Sequence, residues 1–217
     1  MEDRIVTLPD DYSSLALREG VGHLRSPGRK TILDLGRPSG ENVRFFSELN
    51  CRLFISDFFD SLAREGAAVR QGSTAFANAC SRLLEFPPGT CFDLVLLWDL
   101  LNYLDLTEVA ILTEHLRNHC RPGTRMIALL SIYRRIPDEP FQFFASDPAR
   151  LRYELLTELC RDSPRHKEPD LMGAMTDFEV ETCMLLRHGM REYCFVLTDN
   201  APAPGLPAGG SPSSTGV

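Results

Sequence analysis

The stretch Thr31-Ile32-Leu33-Asp34-Leu35-Gly36-Arg37-Pro38-Ser39-Gly40 decides how this chain folds. An apolar, β-prone run ends in an acid and a glycine, passes a short glycine-bearing turn, and enters the helical pattern Glu41 to Asn50. Strand, tight turn and helix N-terminus, in that order, build a ligand pocket at the carboxyl edge of a parallel sheet. About 20 residues further on, the run Arg52-Leu53-Phe54-Ile55-Ser56 ends in Asp57, on the neighbouring strand tip, where an acid can meet ribose hydroxyls. The pattern points to a nucleoside-containing small molecule.

The kind of nucleoside follows from what the turn lacks. A dinucleotide fingerprint needs glycine where this chain has Pro38 and again where it has Glu41. Glu41 opens the helix whose N-terminal amides would receive a pyrophosphate, and carboxylate repels phosphate. A ligand with an ammonium group and no phosphate suits Asp34 and Glu41. S-adenosylmethionine, with its adenosine, sulfonium and zwitterionic tail, is such a ligand.

The run LDLGRPSGENVRFF resembles the first motif of class I S-adenosylmethionine-dependent methyltransferases, D-x-G-x-G-x-G, with Asp34, Gly36 and Gly40 matching and Pro38 replacing the middle glycine. The run FDLVLLWDLLNYL, Phe92 to Leu104, is similar to that family's fourth strand and following turn, and FEVETCMLLRHGMREYCFVLTD to its closing antiparallel hairpin. The resemblance covers roughly residues 30 to 199 and implies a Rossmann-like, doubly wound α/β fold. Its sheet is mostly parallel and ends in an antiparallel C-terminal hairpin. It implies that Asp34, Gly36 and Gly40, with Pro38 between them, line the methionine end of the cofactor. Asp57 holds the ribose, and Trp98, Asp99 and Asn102 stand where cofactor and acceptor meet. The acid that usually meets adenine after the third strand has no counterpart; Asn78 and Ser81 are the nearest polar residues. The Asn/Asp-Pro-Pro-Tyr/Phe run of members acting on amide or adenine nitrogen is absent, since Asp99-Leu100-Leu101-Asn102 stands there.

Along the chain, Asp10 and Asp11 offer helix caps before Leu15, Leu17 and Leu24, so residues 1–29 read as a helical segment packing on the domain. Residues 30–199 form the α/β domain. Between Phe58 and Phe86 a third strand is either very short, near Ala68 to Gln71, or missing, and Ala75 to Leu84 reads as helix. Thr107 is a candidate cap for the next helix, which Arg121-Pro122-Gly123 stops before a strand over Arg125 to Ile132. Tyr133 to Phe144 reads as a loop, and Asp147-Pro148 as the start of a helix through Cys160. From Asn200 to Val217 the composition turns to Pro, Gly, Ala and Ser, a tail expected to be disordered.

The 217 residues suit one domain, and a hydrophobic fraction of 43% is enough for a sizeable core. The net charge of −7 argues against general affinity for nucleic acid or an anionic membrane. Seven cysteines without a C-x-x-C pair read as buried reduced thiols. With a charged start at Met1 to Arg4 and no apolar stretch of spanning length, they suggest a cytoplasmic protein. His115 and His119 stand one helical turn apart, but no third ligand is evident and no metal is expected. The expected activity is methyl transfer to an unidentified small-molecule or protein acceptor. The alternative is a methyltransferase-like binding or scaffold protein, a reading that Pro38, Glu41 and the missing adenine acid favour.

Overall fold

The computed structural model describes residues 11–198; residues 1–10, including Asp10, and the tail predicted to be disordered lie outside them. The elements begin with β1 (Asp11–Ser13), α1 (Leu15–Leu24), β2 (Lys30–Asp34), α2 (Gly40–Ser47), β3 (Cys51–Ile55) and α3 (Phe58–Glu65). They continue with α4 (Ser73–Leu83), β4 (Phe92–Trp98), α5 (Leu106–Arg117), β5 (Cys120–Ser131), β6 (Arg135–Pro137) and β7 (Gln142–Asp147). The last are β8 (Arg150–Glu154), β9 (Cys160–Asp162), α6 (Glu168–Ala174), β10 (Phe178–Leu185) and β11 (Met190–Leu197).

The main sheet has the order β10-β11-β5-β4-β2-β3. Strands β3, β2, β4 and β5 run parallel, and β11 and β10 close the sheet antiparallel. This is the doubly wound architecture with the C-terminal hairpin. The third strand is missing among the described residues: Ala67–Arg70 forms a 3-10 turn. Two helices follow β3 in succession and keep the chain on one face.

Period-2 alternation sorts the strands between two cores. Leu33, Val95, Leu97, Met126, Ala128, Tyr193 and Phe195 face α3, α4, α5 and α6. Ile32, Leu94, Leu96, Ile127, Leu129 and Cys194 face α1 and α2. All of β4 is buried, as a central parallel strand covered on both faces must be.

Several local expectations fail for identifiable reasons. The helix expected from Asp147 to Cys160 is instead β8, paired with β7 and β1 in a small antiparallel sheet, followed by β9. Its alternating Leu151 and Tyr153 pack toward the α1 core, and burial of that face overrides the helix-start signal of Pro148. Part of the expected 133–144 loop is β6 and the start of β7. Ser14, not Asp11, caps α1. Asp105, not Thr107, caps α5, in a reciprocal box with Glu108. Strand β5 begins at Cys120 and passes through the Pro122-Gly123 stop. The cysteines are all free thiols, but only Cys80 and Cys194 are fully buried. Among the described residues no helix is long and apolar enough to cross a membrane.

Asn102 joins β4 to β5. Its amide donates to the carbonyls of Asp99 and Leu129, both at 2.8 Å, and its oxygen accepts from Ser131 N at 2.8 Å. Replacing it leaves buried backbone groups unpaired. Asn102→Ala is expected to lower unfolding free energy by about 2–4 kcal/mol. Urea denaturation checks this, and an unchanged midpoint would show that water replaces the amide.

Candidate functional site

Asp34 ends β2 and is buried. Its Oδ1 accepts from Gly36 N at 2.9 Å and from Trp98 Nε1 at 2.6 Å, while Oδ2 accepts from Asn42 Nδ2 at 3.3 Å. The carboxyl thus ties the turn, the end of β4 and α2 together. Burial raises its pKa to about 6 against these three hydrogen bonds, which pull the other way.

Gly36 serves a close approach. A Cβ there would stand 2.6 Å from Trp98 Cδ1 and 2.9 Å from its Nε1. Trp98 itself has φ of +50°, a left-handed conformation that bulky residues rarely adopt. It stacks on Phe143 of β7, with centroids 5.3 Å apart.

Asp57 caps α3, accepting from Asp60 N at 3.2 Å, and lies 3.6 Å from Arg37 Nε. Burial raises its pKa. The other end of Arg37 reaches Glu139 Oε2 at 2.6 Å. Asp99 follows β4, and burial raises its carboxyl to about 7. Its Oδ2 accepts from Phe141 N at 3.1 Å, while Oδ1 is buried with no partner.

These groups enclose a cavity of about 20 Å³ lined by Gly36, Arg37, Asp57, Trp98, Asp99 and Phe141, among others. That is room for about one water, whereas small-molecule pockets span about 300–1,000 Å³. Residues 138–142 form a strap across it. Arg37 holds Glu139, Tyr103 Oη donates to Glu139 O at 2.8 Å, and Gln142 Nε2 donates to Pro38 O at 3.4 Å.

The expected site residues divide accordingly. Gly36, Asp57, Trp98 and Asp99 line the cavity, with Asp34 bonded directly behind Gly36 and Trp98. Pro38, Gly40 and Asn102 are not among its lining residues. Pro38 offers its carbonyl to the strap, Gly40 opens α2, and the Asn102 amide is consumed between strands. Ser39 caps α2, and Glu41 pairs with Arg152 of β8 at 2.7 Å. Asn78 and Ser81 are exposed on α4. His115 and His119 bond the carbonyls of Leu84 and Thr90. Among the described residues no group of three or more His, Cys, Asp or Glu could hold a metal ion.

Sequence reasoning missed Arg37, Asn42 and Glu139. Asn42 is buried and spans the site, donating to Phe143 O at 3.1 Å and accepting from Ala145 N at 2.8 Å. Its only trace in the sequence is an amide in a helix's first turn, and its partners lie about a hundred residues away.

No family model matches the chain, and no curated protein is a significant match. Solved structures do resemble it. The glycopeptide N-methyltransferase MtfA complexed with S-adenosylmethionine is 17% identical, at a TM-score of 0.46, over 86% of this chain and 95% of that one. A S-adenosylmethionine-dependent methyltransferase from Clostridium acetobutylicum is 14% identical, at 0.45, over 78% and 84%. The 1,6-didemethyltoxoflavin-N1-methyltransferase of Burkholderia thailandensis is 18% identical, at 0.45, over 86% and 80%. Overlap this loose does not carry function across, and the site's own chemistry has to.

The raised carboxyls make stability depend on pH. Asp99 is held near 7 in the fold against about 3.9 unfolded, so the native state binds the extra proton between those values. Its contribution is fully present below about pH 4 and is lost as pH rises through 7. Asp99→Asn removes this dependence. From pH 4 to 8 the variant should gain about 2–4 kcal/mol relative to the parent. Parallel urea-denaturation profiles would show that Asp99 is not buried as a free acid.

Proposed function

We propose that the chain is a S-adenosylmethionine-dependent methyltransferase whose cofactor cleft is closed by the strap 138–142. The observation that carries this reading is the acidic wall of the cavity. Asp57 and Asp99 line it, Asp34 stands directly behind, and Arg37 is the one cation in the lining. One wall oxygen, Asp99 Oδ1, has no partner at all. Such a wall suits a ligand that brings positive charge and no phosphate, and a sulfonium with an ammonium group does so.

In this reading the turn from Gly36 to Gly40 holds the methionine end and Asp57 the ribose hydroxyls once Arg37 releases it. The cofactor supplies an electrophilic methyl group. The chain's own part is to orient, to exclude water and to accept a proton. Phe141 of the strap and Phe143 of β7, both buried, suit the exclusion of water. A second reading, a scaffold built on the same fold, is favoured by one observation: the cavity as it stands is far smaller than any nucleoside.

Thermal denaturation separates the two. At 100 times its dissociation constant a ligand stabilises the native state by about 2.7 kcal/mol. For a domain of this size each kcal/mol raises the midpoint by roughly 2–4 °C. S-adenosylmethionine or S-adenosylhomocysteine should therefore raise the midpoint by about 5–10 °C, and NADH and ATP should not. No shift, with flat calorimetry at millimolar ligand, establishes the scaffold.

The strap gives a second check. Arg37 and Glu139 are both partly exposed, at 36% and 42% of their side chains, so their pair contributes about 0–1 kcal/mol. Glu139→Ala should tighten S-adenosylhomocysteine binding up to about fivefold by raising the open population. Weaker binding in calorimetry would mean that Glu139 contacts the ligand instead.

A further inference from the structure

A larger cleft opens at the carboxyl end of β5, on the face of the sheet that carries α6. Its volume is about 720 Å³, within the span of about 300–1,000 Å³ usual for small-molecule sites. The sheet builds one wall. Arg191 pairs with Leu130 and Tyr193 with Ala128 across β11 and β5, so Arg191 and Tyr193, two apart, share one face with Leu130. Ile132, just past β5, adds an apolar side chain that is 45% exposed. Residues 164–169 build the other wall. Hydrogen bonds hold that segment in place. Ser163 N donates to Arg134 O at 2.8 Å, and Ser163 Oγ accepts from Arg165 N at 3.2 Å. His166 Nε2 lies 3.0 Å from Leu101 O and 2.9 Å from Leu104 O. Both partners are acceptors, so this nitrogen carries the proton and donates. The wall is fixed before any ligand arrives.

The charge of the lining selects the ligand. The chain has a net charge of −7, yet this cleft collects Arg165, Lys167 and Arg191 against one acid, Glu168. Glu168 is already engaged, since its Oε2 accepts from Tyr193 Oη at 3.0 Å. Arg191 Nη1 donates to the same hydroxyl at 3.2 Å and keeps its other N–H donors. Among the described residues none of the three cations forms an ion pair. Three cations against one carboxylate leave an excess of two positive charges. A phosphate monoester carries about −1.5 to −2 at pH 7, and its oxygens match the paired donors of a guanidinium. A monocarboxylate neutralises only half the excess, and a cation is repelled. Leu130, Ile132, Pro164 and Pro169 make much of the remaining lining apolar. A ring or short chain buried there gains affinity that a bare inorganic ion cannot.

We propose that this cleft binds a small organic phosphate monoester, its phosphoryl group held by Arg165, Lys167 and Arg191 and its apolar body lying against Leu130 and Ile132. The site is separate from the cavity at Trp98 and does not rest on the methyltransferase reading. The turn 100–104 touches both: Leu100 lines the cavity, while the carbonyls of Leu101 and Leu104 hold His166 of the cleft. Arg165 itself sits at φ of +49°, a conformation that residues other than glycine seldom adopt. Strain of this kind persists where the surroundings hold it, and it gathers at binding sites.

The test titrates four probes into the full chain by NMR: phenyl phosphate, phenyl sulfate, phthalate and inorganic phosphate. Phenyl sulfate keeps the shape with one charge fewer. Phthalate keeps two charges without a phosphoryl group, and inorganic phosphate lacks the ring. Phenyl phosphate should bind about fivefold or more tightly than each of the others, and its affinity should fall as salt rises. The signals of the Ile132 methyls and the Tyr193 ring should move, and the indole signal of Trp98, the chain's one tryptophan, should not. Arg165→Gln and Lys167→Gln alter exposed side chains. Each should cut affinity about threefold to tenfold at an unchanged thermal midpoint, whereas Arg25→Gln, exposed at the end of α1, should keep the parent's affinity. Arg191→Lys should keep more affinity than Arg191→Gln. Equal binding of any other probe, parent affinity in both Arg165→Gln and Lys167→Gln, or movement of Trp98 in place of Ile132 overturns the site. Phenyl phosphate binding in a chain that does not bind S-adenosylhomocysteine upholds this site and removes the methyltransferase reading. S-adenosylhomocysteine binding without phenyl phosphate binding does the reverse.

Discussion

The buried carboxyl of Asp34 is the constraint on which the edge of this sheet depends. It accepts three hydrogen bonds, from the Gly36 backbone, the Trp98 indole and the Asn42 amide. Each comes from a different part of the chain. The first shapes the turn after β2. The second fixes the indole at the end of β4 so closely that the turn can carry no side chain at position 36. The third brings in Asn42, which clips the β7 backbone at Phe143 and Ala145. Remove the carboxyl and two buried donors and a part-buried one lose their acceptor together, and unpaired buried donors are far more harmful than hydrogen bonds are individually helpful.

That network changes what the first glycine of the turn means. A glycine at position 36 read in sequence signals room for a ligand. In the structure the room is occupied by Trp98, whose left-handed backbone conformation is itself uncommon for a bulky residue. In the proposed function, closure and ligand binding are two uses of the same absent side chain. The turn accommodates an indole now, and the same space is what a nucleoside's amino-acid tail would need.

How much of this was legible depends on the distance over which each feature is encoded. The strands β2, β3 and β4 are local: apolar runs ending in an acid, a turn residue or a tryptophan. The C-terminal hairpin is local too, because Arg187 to Met190 marks its turn. The residues that make the site are not local. Arg37 meets Glu139, and Asn42 meets Phe143. Nothing near any of them in sequence announces the partner. The same blindness produced the one wrong helix. Asp147-Pro148 is a sound start signal in isolation, yet β7, β8 and β1 bury Phe143, Ala145 and Leu151 against the α1 core, and that burial decides the conformation. Asn102 shows the opposite failure, a polar residue in the right place whose amide is spent on backbone.

The strap's energetics bear on whether closure excludes a ligand. Its fastenings differ in depth. Asn42 holds residues 143 and 145 through bonds buried on both sides, which are expensive to break. The fastenings of 138–142 are a partly exposed ion pair, a tyrosine hydroxyl on the Glu139 carbonyl, a 3.4 Å amide contact, the bond from Asp138 N to Leu159 O and the buried bond from Phe141 N to Asp99. Together these come to about 4–7 kcal/mol, given about 1 kcal/mol for each neutral bond, about 1.5–3 for the bond to the carboxyl and less for the exposed pair. A ligand of micromolar affinity brings about 8 kcal/mol at standard state. The segment over the cavity can therefore lift while the rest of β7 stays clipped to α2, with the boundary between Gln142 and Phe143. Opening would also withdraw Phe141 N from Asp99 and leave both carboxylate oxygens free, so the acid that closes the cleft is the one that gains binding capacity when the cleft opens.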